Sequence, residues 1–103
     1  MTRIPIDRYI VDTLLPDLVG HDRAPSAFVV YLFLWARTWG AEARSLSISH
    51  RMLADATGLS KSAVQAAVRL LVRRKLVRPH LAHRTAVPEY TVLRPWMRSR
   101  AGS

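Results

Sequence analysis

A chain of 103 residues, half of them hydrophobic, is long enough for one folded domain, too short for two, and too apolar for a disordered polar tract. With no cysteine it offers no disulfide, thiolate nucleophile or thiolate zinc site, which suits a reducing cytosol. Its formal charge of +9 favours an anionic partner, and charge alone leaves nucleic acid, a membrane surface and an acidic protein all open.

The first residues lack the basic-then-apolar layout of a secretory signal. The longest apolar run, Ala27 to Ala36, is about half of the roughly 20 residues that span a bilayer as a helix, so a cytoplasmic, nucleoid-associated protein without a membrane span is expected. Pro5 suits an early helical position, and Ile6, Ile10, Leu14 and Leu18 recur every fourth residue among Asp7, Arg8, Asp12 and Asp17. Residues 1–20 therefore read as an amphipathic N-terminal extension and a candidate dimerising element. Pro16 lacks an N–H and crowds the preceding turn, which predicts a break or kink near Leu15. Asp7, Asp12, Asp17 and Asp22 stand five apart, a step that walks around a helix and cannot form a catalytic acid/base pair.

Asp22 and Pro25 mark the start of a second helix, Ser26 to Trp39, with Gly40 as its stop. Phe28, Tyr31, Leu32, Leu34 and Trp35 place apolar groups on several of its faces, so it needs two contacts. The N-terminal segment of the same chain and a homodimer seam are both open as the second.

From Leu46 the punctuation is sharp. Leu46 and Ile48 alternate with serines as in a short strand, and Ser49 can cap a helix over His50 to Ala56. Gly58 supplies a left-handed turn, and Ser60 can cap a longer helix running to about Lys75. Ala54, Gly58 and Val64 stand at the offsets of the small residue, turn glycine and branched aliphatic of helix-turn-helix proteins, which this stretch resembles. Gly58-Leu-Ser-Lys-Ser-Ala-Val64, with Ala67, Val68, Leu71, Leu76 and Val77, is similar to winged helix-turn-helix bacterial regulators of the MarR, GntR and plasmid-replication-associated kinds, over roughly residues 24–95. Lys75 departs from the glycine many of them carry. Leu76 to Leu81 and Glu89 to Leu93 read as two strands around a wing containing His83, Arg84, Thr85 and Pro88, with Tyr90 and Val92 inward and Pro79 at an edge or bulge.

The fold class expected is therefore mainly α with a small β-hairpin wing, a winged helix-turn-helix over 21–97 followed by a basic flexible tail at 98–103. Charge supports its use. Residues 1–50 hold five basic and five acidic groups, whereas 51–103 hold eleven basic groups and only Asp55 and Glu89, with no acid between 56 and 88. By resemblance, Lys61, Ser62, Gln65 and Arg69 would face base edges in a major groove, with the wing 78–90 on a minor groove or the backbone. Ser49, Arg51, Ser60, Arg73, Arg78, His83 and Arg84 are candidates for backbone or wing contacts, and Arg74 for balancing the helix dipole. His80 and His83 have no cysteine or nearby carboxylate to complete a metal set. No glycine-rich phosphate loop or nucleophile elbow is present, and Trp35, Trp39 and Trp96 read as core or interface residues. The expected function is a transcriptional regulator on double-stranded DNA, acting as a homodimer without cofactor, metal or enzymatic activity and with no identifiable effector. A plasmid or phage DNA-architecture protein and a winged helix used for protein contact are the alternatives.

Overall fold

The computed structural model describes residues 3–97, so the tail expected at 98–103 lies outside the described residues. Ile10, Leu14 and Leu18 turn into the core as their spacing predicts, while Ile6 precedes the helix and is exposed. Of the break or kink expected near Leu15, the break is absent. Leu15 and Pro16 keep right-handed helical dihedrals between two π-type stretches, Ile10–Leu14 and Asp17–His21. Leu15 N–H reaches Ile10 O, and Asp22 N–H reaches Asp17 O at 2.8 Å. The wider turn moves carbonyls away from the proline ring, relieving the clash that would break an α-helix. Because a π turn holds more residues than the 3.6 of an α turn, it also keeps a strict four-residue apolar repeat on one face.

Helix α1, Pro25–Arg37, begins with Pro25 in its first turn and no side-chain cap. Asp22, expected at its start, instead binds Arg74. The helix ends two residues before the expected Trp39, where Thr38 Oγ1 donates to Leu34 O at 2.8 Å and a short 3-10 turn, Trp39–Ala41, follows. Gly40 serves close approach: a Cβ there would lie 2.5 Å from Ile4 Cγ2.

Strand β1 (Ser45–Ser47) precedes α2 (His50–Thr57), a left-handed Gly58 at φ +81°, and α3 (Lys61–Arg73). Strands β2 (Val77–His80) and β3 (Glu89–Val92) form the hairpin. The sheet is antiparallel in the order β1-β3-β2, so Pro79 lies on an edge strand, where its missing N–H costs no ladder bond on the open side. Register places Ser45, Thr91 and Arg78 in one row and Leu46, Tyr90 and Pro79 in the next. Tyr90 and Val92 are buried inward while Arg78, His80 and Glu89 stay exposed, the alternation of a sheet with one face on the core. The protein is thus mainly helical with a small three-stranded antiparallel sheet. One core cluster joins Ile10 and Leu18, α1, Leu53, the inner face of α3, and the sheet.

The exit of α3 explains Lys75. Lys75 N–H bonds Val72 O at 3.0 Å, Leu76 N–H bonds Leu71 O at 2.9 Å, and Lys75 has φ +59°. These are the two bonds of a Schellman end, with lysine in the left-handed position that glycine adopts without strain. Lys75→Gly is expected to raise stability by about 0.5–1 kcal/mol, the relieved strain exceeding the added unfolded-state entropy; chemical denaturation measures it.

Arg74 does not act on the helix dipole alone. Its guanidinium bonds Asp22, and its Nη2 lies 3.1 Å from Asp17 Oδ2, tying the end of α3 to the N-terminal helix. The hydrogen bond from His21, with the Arg74 charge nearby, holds the Asp22 carboxyl below its ordinary 3.8. Its contribution to stability is therefore complete above that value and lost as pH falls through the lowered folded value. Arg74→Ala is expected to cost about 1 kcal/mol near neutrality. The gap in thermal midpoint between wild type and Asp22→Asn is expected to close as pH is lowered from about 7 to about 2.

Candidate nucleic-acid interface

Helix α3 has two unlike sides. Val64, Ala67, Val68 and Leu71 are buried, and at 3.6 residues per turn Lys61, Gln65, Arg69, Ser62 and Arg73 fall within an arc of about 120° on the other side. Of these, Lys61, Ser62, Arg69 and Arg73 are exposed and Gln65 is half-buried. The burial of the inner face against α1 and the sheet therefore orients this polar stripe outward.

Two caps place the ends of α2 and α3. Ser49 Oγ accepts from Met52 N–H, and Ser60 Oγ accepts from Ala63 N–H, each at 3.1 Å. Ser60 also lies 3.3 Å from Ser62, oxygen to oxygen. Their oxygens are thus already engaged in ordering the helix starts that a phosphate would approach.

The hairpin completes the surface. Ile48 N–H bonds Pro88 O at 3.1 Å, which pins the base of the 81–88 loop beside the start of α2. An open groove results, in which Ser49, Arg51, Lys61 and Gln65 meet Thr85 to Pro88. Sequence reasoning named these first four and placed Thr85 and Val87 only within the wing 78–90; it missed His50, which also lines the groove. His50 follows the Ser49 cap directly, and that position is the signal that could have found it. Met52, 56% exposed in the first turn of α2, also went unassigned. The structure does not gather all the candidates: Ser62, Arg69 and Arg73 continue along α3 outside the groove, and Arg78 stands on the outer face of β2. Arg84 is exposed in the loop, where His83 Nδ1 lies 3.2 Å from Thr85 Oγ1.

The electrostatics follow from where the acids are spent. Among the described residues, the ion pairs use Asp7, Asp12, Asp17 and Asp22, paired with Arg94, Arg8, Arg74 and His21. None involves Arg51, Lys61, Arg69, Arg73, Arg78 or Arg84. Glu89, the acid nearest the loop in sequence, accepts from Ser45 Oγ at 2.7 Å. The groove and helix stripe thus present uncompensated cations, amide and hydroxyl groups. Such a surface can neutralise phosphates and hydrogen-bond base edges. No helix among the described residues is long and apolar enough to cross a membrane.

Family models, curated proteins and solved structures were compared with the chain, and none matches.

Because Ser60 caps α3, Ser60→Ala is expected to lower stability by about 1 kcal/mol in the absence of any ligand. Ser62→Ala, which removes no backbone bond, is expected to change it by less than about 0.5 kcal/mol; thermal unfolding of the two variants checks the difference.

Proposed function

We propose that this chain is a winged helix-turn-helix protein that binds double-stranded DNA sequence-specifically and regulates transcription, with two copies on an inverted repeat. The observation that carries this reading is the polar, cationic stripe of α3, free of ion-pair partners among the described residues and flanked by the capped start of α2 and the base of the hairpin loop. A 13-residue helix is about 20 Å long and 10–12 Å across, which fits a major groove about 12 Å wide.

On this reading Lys61, Ser62, Gln65 and Arg69 meet bases, Gln65 suiting adenine and Arg69 guanine through paired hydrogen bonds. Arg51 and Arg73 take flanking phosphates, Ser49 and Ser60 hold the helix starts against the backbone, and His83 and Arg84 carry the loop to the adjacent minor groove. Arg78, on the outer sheet face, reaches the backbone beyond the loop.

Enrichment of preferred sites from a randomised duplex pool at physiological salt tests the proposal. A palindrome with half-sites about one helical turn apart, roughly 10 base pairs, supports it. Retention without enrichment favours an architectural protein, and no retention turns the function towards protein contact. Within a recovered site, Gln65→Ala is expected to lose about 1–3 kcal/mol of discrimination at one base position. Arg84→Ala is expected to weaken all sequences alike and lower the salt slope by about one. Equal effects of both variants on every sequence would sink these roles.

A further inference from the structure

An open cavity of about 580 Å³ lies away from α3, between Trp39, the 42–44 segment and the end of β3 at Thr91 and Val92. A second groove on the other side of Trp39 runs along Leu93, Arg94 and Met97. Trp39 forms the wall between them and is 43% exposed, although its Nε1 already donates to Val92 O at 3.1 Å. Its polar tip is satisfied, so what it presents outward is apolar ring.

The surroundings extend this surface. Arg94 lies over the Trp39 ring at 4.5 Å. Trp35 and Trp96 follow behind with ring centroids 6.4 Å apart, and Tyr9 stacks on Trp96 at 4.7 Å. Ile4, 47% exposed, sits on Gly40, and Met97, 57% exposed, lines the second groove. Trp, Tyr, Met and Arg gathered around an apolar patch make the composition of a protein interface core, and a contiguous patch of this kind differs from the scattered exposed valines elsewhere. It follows β3 at the end opposite the hairpin loop, so it points away from the proposed DNA face.

Charge identifies the occupant. Glu42 and Arg44 line the same cavity, both are exposed, and neither has an ion-pair partner among the described residues. A surface with one free anion and one free cation beside an aromatic centre can complement itself, because a two-fold axis can set each residue against the other's counterpart. We propose that a second copy of this chain docks here about a two-fold axis, Trp39 of each copy filling the cavity of the other and Glu42 of each pairing with Arg44 of the other. This places the seam at the 39–44 turn and the chain after β3, and not along the outer face of α1. It does not rest on the DNA reading.

The test is the mass of the full chain in solution without DNA, by sedimentation equilibrium over about 1 μM to 1 mM. A species of twice the 11.7 kDa chain mass is expected. Trp39→Ala is expected to raise the dimer Kd about thirty-fold or more, as for a central aromatic anchor. Since Trp39 also bonds Val92, charge reversals in the exposed turn give a test independent of folding. Glu42→Arg and Arg44→Glu are each expected to raise Kd about tenfold, and the double variant to return it to within about threefold of the wild type. A monomer throughout, a dimer moved by neither single reversal, or one that the double variant fails to restore overturns the proposal. A dimer that ignores DNA leaves this surface standing and removes the DNA reading; a monomer that selects a DNA site does the reverse.

Discussion

A helix with large apolar side chains on several faces needs more than one packing partner, and α1 imposes that condition on the whole chain. Ala27, Val30, Tyr31, Leu34 and Trp35 are all buried, which takes α3 on one side, the N-terminal helix on another and β3 on a third. The two large side chains with polar tips find partners in the backbone. Tyr31 Oη donates to Leu93 O, and Trp35 Nε1 to Pro5 O, each at 2.8 Å. Burial raises the Tyr31 hydroxyl well above its ordinary range, so the donating neutral form is the one held. These bonds draw the chain after β3 and the chain before the first helix onto α1, bringing both ends of the described chain together. With its buried side packed on α1 and the sheet, α3 has one face left over, and that face carries the polar stripe.

Enclosure also sorts the charges. The neutral first half of the sequence is not a region of local cancellation, because Asp17 and Asp22 reach Arg74, and Asp7 reaches Arg94, both in the basic half. Asp7 Oδ2 receives the Trp96 indole N–H and lies 3.1 Å from Arg94 Nε, which is buried without an aligned hydrogen bond. The acids of the first half thus neutralise the two arginines nearest the core. The outer side of α3, the start of α2 and the hairpin loop keep cations without ion-pair partners among the described residues. Folding therefore concentrates a field that the sequence distributes along fifty residues, and a concentrated field attracts a polyanion more strongly than a dispersed one.

Much of the arrangement of α2, the Gly58 turn and α3 was legible because its determinants are local. Ser49 and Ser60 cap the helices that follow them, Gly58 turns left-handed, and the buried positions of α3 recur at helical spacing. Tyr90 and Val92 were readable for the same reason, since alternation along a strand needs no knowledge of its neighbours. The rest depends on partners distant in sequence. Arg74 looks like any cation at a helix end until Asp17 and Asp22 are beside it, and Gly40 looks like a stop until Ile4 lies on it. The four-residue apolar repeat of the first helix was visible, but that the chain would widen rather than break at Pro16 was not, because local propensity weighs the proline and not the core that holds the stripe in place. Of the site, the α3 stripe was legible and the groove was not, because the groove exists only where Ile48 N–H joins Pro88 O.

The same logic bears on how the two proposed surfaces relate. Strand β3 has the hairpin loop before it and the Trp39 surface after it, and through Tyr90 and Val92 it is packed into the core that orients α3. No hinge separates the two ends: Leu93 is bonded to Leu76 through its N–H and to Tyr31 through its carbonyl. In the proposed dimer, the axis at Trp39 would therefore fix both the distance and the direction between two copies of α3, since each is carried on a single packed core. If the chain binds DNA as proposed, half-site spacing is then set at the Trp39 seam and not at the α3 stripe. On the same proposal, a change at position 39, 42 or 44 would act on spacing, whereas a change at Gln65 or Arg69 would act on base preference. The two proposed surfaces are separable because β3 joins them mechanically while its two ends lead to different ones.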